Sequence, residues 1–302
     1  MLAIVESPYQ LQNVISLFEV LDIDTNQACI LIRDNGNEVQ KEQFSAHLSN
    51  VRVKFFFLPS KGNKKIFYFI FIMLYVSFFF IKNKQVALGD VRSIVCKPYL
   101  YLARMFKKKV YLVDDGLYLM KHVTKIRSFP CTIYTSLPLE AGRQDLFSVI
   151  KKSTKHFKSY DKERSLSFIG QHLVELDFIN SDDFFTLLVN IKNVFASKYD
   201  KFNYYAHRSE SSNKLAEIER LGFNVLKLES NIEHYFHNNN APQGVFISFY
   251  STALLNIFNA HAGDEFYFYD EYLIIKDPAI KESISLCYET LKKAGIKKLS
   301  LN

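Results

Sequence analysis

Short apolar runs that stop at polar turns, each followed by apolar residues at helical spacing, recur through this chain of 302 residues. That alternation restricts the fold to an α/β class, with a mostly parallel sheet covered on both faces. The first instance is the clearest. LAIV at 2–5 reads as a strand and stops at Glu6-Ser7-Pro8. Leu11, Val14, Ile15, Leu17, Phe18 and Val20 then follow on one helical face. Further strands are expected at 28–32, 51–58, 93–96 and 110–113. A second series follows, with strands at 166–169, 202–206, 225–228, 244–249 and 265–269. Helices are expected there at 182–196, 212–221 and 279–294.

Between the two series lies KKSTKHFKSYDKER at 151–164, polar and basic, which reads as a linker. The expected domains are therefore 1–155 and 156–302, a division that suits the length. Open parallel sheets take ligands at the carboxyl ends of their strands. The chemistry is accordingly expected just after strands, facing a cleft between the domains.

Charge narrows the partners without choosing one. Lys and Arg number 38 against 31 Asp and Glu, a net +7, which favours an anionic partner. No basic, aromatic-interleaved stripe marks a nucleic-acid surface, so no nucleic-acid partner is expected. With 48% hydrophobic residues, disorder is excluded as the general state. Cys29, Cys96, Cys131 and Cys287 are scattered, with no CxxC pair and no His at metal-ligand spacing. This pattern predicts a reduced compartment and no structural metal. The opening MLAIVESPYQ lacks the layout of a secretory signal, so a cytoplasmic location is expected. The uncharged run IFYFIFIMLYVSFFFI at 66–81 is shorter than the ~20 residues of a spanning helix. Lys61, Lys64 and Lys65 precede it, and Lys82 and Lys84 follow it. It reads either as a buried crossover helix or as a helix bedded peripherally on the inner membrane.

Several strand ends carry residues suited to chemistry. Asp114-Asp115-Gly116 follows VYLV. Paired carboxylates at a strand end raise each other's proton affinity and suit a general base, while the same triplet is also an ordinary turn former. His207 follows FNYYA and is itself followed by Arg208, a pairing suited to an anionic ligand. Ser248, Ser251 and Thr252 lie between the strand GVFI and the apolar ALLNIF, where hydroxyls and helix N–H groups bind phosphate or simply cap the helix. Ser7, Tyr9 and Gln10 close the first strand, and Gly170 and Gln171 hold the matching place in the second half. The chain has no GxxxxGK[ST], GxGxxG or GxSxG. The nearest approach to a DxD triplet, Asp22-Ile23-Asp24, falls at a helix end.

In order along the chain, SPYQLQN, VDDG, FIGQHLVE, YYAHRSE and FYSTAL resemble landmarks of the bacterial lipooligosaccharide sialyltransferases (glycosyltransferase family 52), related to the bacterial polysialyltransferases. The resemblance spans residues 7–254. It implies a GT-B fold, two Rossmann-like domains facing a central cleft, with the first on the acceptor side and the second binding a CMP-sugar. It further implies inverting transfer of a nonulosonic acid (sialic, pseudaminic or legionaminic acid) from a CMP-activated co-substrate to a hydroxyl of a surface glycan, without metal or other cofactor. Carried over, Asp114 or Asp115 is the base and His207 assists departure of CMP. Gly170, Gln171, Arg208, Glu233, Ser248, Ser251 and Thr252 serve the donor, and Ser7, Tyr9, Gln10 and Gly116 the acceptor side. Arg208 stands where the family has Pro. Some members draw their base from the second half, where Glu175 and Asp177 are the nearest candidates. The rival class is a non-catalytic glycan- or nucleotide-binding scaffold, which would bind CMP without turnover.

Overall fold

The structure, a computed structural model, describes every residue except 34–37, 50, 59–65, 92, 94, 115, 118, 121–125, 153–159, 261–264 and 302, and leaves out the side chains of 39, 58, 66–69, 71–73 and 160–162. The chain divides into two compact units, Met1–Lys152 and Ser153–Asn302.

The first unit runs β1 (Leu2–Val5), α1 (Pro8–Val20), β2 (Cys29–Arg33), α2 (Glu38–Leu48), β3 (Lys54–Leu58), α3 (Ile66–Lys82), β4 (Gln85–Leu88), α4 (Cys96–Met105), β5 (Lys109–Val113), β6 (Thr132–Thr135) and β7 (Ser148–Lys151). Its sheet has the order β3-β2-β1-β4-β5-β6-β7, every pair parallel. The second unit runs β8 (Tyr160–Ile169), α5 (Ser181–Phe195), β9 (Phe202–Ala206), α6 (Ser212–Arg220), β10 (Asn224–Lys227), α7 (Ile232–Asn238), β11 (Ala241–Ser248), α8 (Thr252–Ala260), β12 (Glu265–Phe268), α9 (Pro278–Ala294) and β13 (Lys297–Lys298). Its order is β10-β9-β8-β11-β12-β13, again all parallel.

Each sheet is wound outward from its first strand in both directions. The winding reverses between β1 and β4 in one unit and between β8 and β11 in the other, and at such a reversal the strand ends leave a crevice. All four residues of β1 are buried, as a central strand covered on both faces requires. Ser7 caps α1 by accepting from the Gln10 N–H, and Pro8 opens the helix where no N–H is needed. One core cluster, including Val5, Leu11, Phe44 and Tyr134, is drawn wholly from the first unit. Another, including Phe168, Phe184, Tyr204 and Phe249, is drawn wholly from the second.

The expected strand at 93–96 is not one. The strand is β4, eight residues earlier, and Cys96 instead opens α4. Ser93 Oγ accepts from the N–H groups of Val95 and Cys96, a hydroxyl capping a helix start that a short apolar run disguises. The basic stretch at 151–164 is partly strand, since β7 ends at Lys151 and β8 begins at Tyr160. β6, β7, α7 and β13 carried no expectation.

Candidate functional site

In the first unit, α1 starts at the carboxyl end of β1, and its first turn is occupied with local structure. Gln10 is buried and its Oε1 accepts the Glu6 N–H at 2.7 Å. Ser7 Oγ accepts the Gln10 N–H at 3.2 Å. The Glu6 carboxylate accepts from Ser93 Oγ and pairs with Arg33 Nη1 at 3.2 Å. Gln40 Nε2 donates to the Glu6 carbonyl at 2.9 Å. Tyr9 presents its ring to Lys152 Nζ, 5.6 Å from the centroid, and the same ammonium donates to Asn13 Oδ1 at 2.7 Å. The ends of β1, β2 and β4 are thus knit together around Glu6, a residue flagged in sequence only as part of a turn.

Asp114 directly follows β5 and is fully buried. Its carboxylate accepts from the Gly116 N–H and from Thr135 Oγ, each at 2.6 Å, and its carbonyl accepts from Asn13 Nδ2 at 2.9 Å. Burial pushes its carboxyl above the usual range, against the lowering by these hydrogen bonds. Gly116, at φ 78°, turns the chain back over the carboxylate in a conformation that favours glycine. Asp114 therefore organises the loop after β5. Asp115 lies outside the described residues.

The second unit assembles more of the predicted residues. Gly170 and Gln171 follow β8, His207 follows β9, and Ser248 ends β11. Ser248 Oγ donates to the Ile169 carbonyl at 2.8 Å and lies 3.5 Å from Gln171 Oε1, which ties the two strands flanking the reversal. Ser251 is buried and Thr252 opens α8 directly beyond β11. The N–H end of a nine-residue helix thereby follows the central strand. Glu233, at the start of α7, accepts from Asn256 Nδ2 of α8 at 2.7 Å and so links those helices.

Around His207 lies a network that the sequence reading missed. The Glu210 side chain is fully buried and accepts from three donors at 2.6 Å: Tyr204 Oη, the His207 N–H and Lys214 Nζ. Lys214 also donates to the Gln171 carbonyl at 3.1 Å and lies 3.5 Å from Glu175, while its ammonium stands 4.3 Å from the Phe184 ring centroid. Gly170 makes room for this arrangement: a Cβ there would lie 2.5 Å from Glu210 Oε2 and 2.8 Å from the Tyr204 ring. His207 Nδ1 accepts the Ser209 N–H at 3.2 Å, so the ring proton sits on Nε2. Burial, with His172, Arg208 and Lys214 nearby, lowers the His207 pKa to about 3. The imidazole is neutral at pH 7. The His172 ring stacks on it, centroids 4.6 Å apart and planes 17° from parallel.

Glu175 accepts the Ser211 N–H at 2.8 Å and faces Lys214. Burial raises its pKa, but these contacts outweigh it and hold the carboxyl below its ordinary range, which suits an ion pair better than a base. Asp177 is exposed in the loop after β8, at φ 54°. Arg208 is exposed beside His207. The sequence did hold a signal for the missed network. QH and HR follow neighbouring parallel strands, and Glu210 and Lys214 stand four residues apart at a helix start.

No protein-family model and no curated protein matches the sequence. Among solved structures the chain is similar to Acinetobacter baumannii MurG at 11% identity and a TM-score of 0.52, over 99% of this chain and 85% of that one. It is similar also to Phytolacca americana UGT2, solved with UDP-2-fluoroglucose and pterostilbene, at 11% identity and a TM-score of 0.51 over the same shares. The likeness shows the fold: two Rossmann-like α/β units of the GT-B class.

Proposed function

We propose that the chain is an inverting, metal-independent glycosyltransferase that moves a nonulosonic acid from its CMP-activated donor to a hydroxyl of a bacterial surface glycan. The observation that carries the reading is a neutral, Nε2-protonated His207 held at a strand end of the second Rossmann-like unit by buried Glu210, beside the cation of Lys214. The GT-B fold shared with two glycosyltransferases supports sugar transfer in general. The motif order supports the finer choice of donor.

In this reading the acceptor hydroxyl gives its proton to a carboxylate of the Asp-Asp-Gly loop and attacks the anomeric carbon of the donor. The bond from that carbon to the CMP phosphate oxygen breaks on the opposite face, which inverts the centre. His207 Nε2–H meets the charge growing on the leaving phosphate, and Arg208 and Lys214 stabilise it. Because Asp114 is buried and spent on Gly116 and Thr135, the base falls to Asp115. Gly170, Gln171, Ser248, Ser251, Thr252 and Glu233 are assigned to the donor, and Ser7, Tyr9, Gln10 and Gly116 to the acceptor side, with the first group shaping the pocket partly through backbone.

The reading also includes peripheral contact with an anionic membrane through α3. Ile70, Leu74, Phe78 and Ile81 are exposed along one stripe of that helix, which ends at Lys82 and is followed by Lys84. No described helix is long and apolar enough to cross a membrane.

The deciding experiment is CMP release from CMP-sialic, CMP-legionaminic and CMP-pseudaminic acids with glycan acceptors, with and without EDTA. EDTA-resistant release from one donor is expected. It should vanish in Asp115→Ala and persist within about tenfold in Asp114→Asn, whose amide still accepts from Gly116. CMP binding without release from any donor would favour the scaffold reading.

A further inference from the structure

His172 was no candidate in the sequence, yet its ring stacks on that of His207. The two rings come from successive loops, after β8 and after β9, and are held from below. Gln171 gives its carbonyl to Lys214, and Glu210 takes the His207 N–H. The charged groups around the pair are Arg208 beside His207, Lys214 from α6, Glu175 from the loop after β8 and Glu210 from the loop after β9, with Tyr204 of β9 beneath. Both carboxylates are engaged elsewhere. Glu210 accepts from Tyr204, the His207 backbone and Lys214, and Glu175 accepts from Ser211 and faces Lys214. The pair thus has Arg208 and Lys214 for cationic neighbours, and Glu175, the carboxylate that favours a proton on both rings, is itself paired with Lys214. A phosphate dianion at these strand ends would supply further negative charge. Two imidazolium rings stacked at this separation repel strongly, so a second proton binds far more weakly than the first.

We propose that His172 and His207 act as one proton-accepting unit, neutral in the free protein, that takes up a single proton from solvent when a nucleotide phosphate binds beside it. His207 meets the phosphate through Nε2–H, and the added proton enters at His207 Nδ1, in place of the hydrogen bond from the Ser209 N–H, or on the His172 ring; His172 is a positioning residue whose stacked ring limits the pair to one proton. The inference rests on the nucleotide-sugar reading above. Burial, which holds both rings below their ordinary pKa, agrees with a neutral pair in the free protein. Proton uptake makes binding tighten as pH falls, by up to tenfold per pH unit, because the complex holds a proton that the free protein does not.

The test is calorimetric titration of the whole chain with CMP between pH 6.5 and 8, in buffers of different ionisation enthalpy, with cytidine as the phosphate-free control. One proton taken up per CMP and none per cytidine is expected. CMP binding with no proton exchange, or with two protons, overturns the proposal. His172→Gln and His207→Gln should each take up one proton or fewer, and the double variant none. Circular dichroism checks that each is folded. Uptake that survives in a folded double variant overturns the assignment. UMP is titrated in parallel. Proton-coupled binding of UMP but not CMP would support the pair while removing the CMP reading, and no binding of either nucleotide would overturn both.

Discussion

A carboxylate with no exposed surface that satisfies three donors fixes the position of everything it holds. Glu210 does this for His207, through the backbone N–H, and for Lys214 through its ammonium. Gly170 is the residue whose lack of a side chain permits it. Gly170→Ala should therefore cost about 1–3 kcal/mol of stability, as overpacking does, and lower transfer more than that loss of fold explains, because Glu210 and the His207 backbone must move. Urea unfolding and rate measurement on the same preparation separate the two effects. His207 itself carries a pH signature. Its folded pKa, about 3, lies below the unfolded value near 6.5, so between these limits the unfolded chain binds more protons. Its contribution is fully present above pH 6.5 and is lost as pH falls toward 3, by at most about 1.4 kcal/mol per pH unit. His207→Gln should flatten the fall of the urea midpoint between pH 6.5 and 4.5 relative to the parent. An equally steep fall would mean the ring is not held neutral. Sequence could reach His207 because a strand end is visible in a sequence. Glu210 and His172 were harder to reach: the QH and HR pairs and the Glu210–Lys214 spacing are visible in the sequence, but they gain meaning only once β8 and β9 are known to be neighbours.

At the scale of elements, α3 resolves an ambiguity that hydrophobicity alone leaves open. Val76 and Phe80 are buried, and Phe80 packs on Tyr99 and Phe106 from the region of α4 at centroid distances of 5.4 and 6.2 Å. The helix is therefore a crossover with one face in the core. Its other face is unusual for a water-soluble surface: Ile70 is 49% exposed, Leu74 67%, Phe78 59% and Ile81 71%. Tyr101, Met105 and Phe106 are exposed too, and Lys107 and Lys109 follow α4. Of the lysines expected to flank the run, Lys61, Lys64 and Lys65 lie outside the described residues. An apolar stripe with following lysines binds anionic bilayers by buried area and by charge together. Leu74→Glu with Phe78→Glu should reduce co-sedimentation with phosphatidylglycerol vesicles at least tenfold and leave the melting temperature within a few degrees. Unchanged sedimentation would remove the membrane contact. Long, strongly patterned elements such as α1, α5 and α9 were legible in the sequence because burial and periodicity agree there. The strand β4 was not. QVAL is short, and the nearby SIVC carries the same apolar signal while serving as a helix start.

The whole molecule repeats one solution. Each unit winds a parallel sheet outward from its first strand, each reverses after its third, and each has its candidate residues just beyond strand ends. The repetition was legible as two runs of strand and helix, although the basic stretch between them hid the start of β8. Each unit also fills a core of its own: the cluster around Phe168 and Phe249 uses residues of the second unit alone, and that around Val5 and Tyr134 residues of the first. A core that borrows nothing from its neighbour is the condition for folding alone. The segment 153–302 should therefore unfold in a single cooperative urea transition when expressed by itself. In the proposed division of labour it should keep CMP affinity within about tenfold of the full chain and lose transfer entirely, since Asp115 is left behind. Transfer by the isolated segment would place the base in the second unit, at Glu175 or Asp177. Cooperative folding without CMP affinity would instead assign the donor to residues contributed by both units.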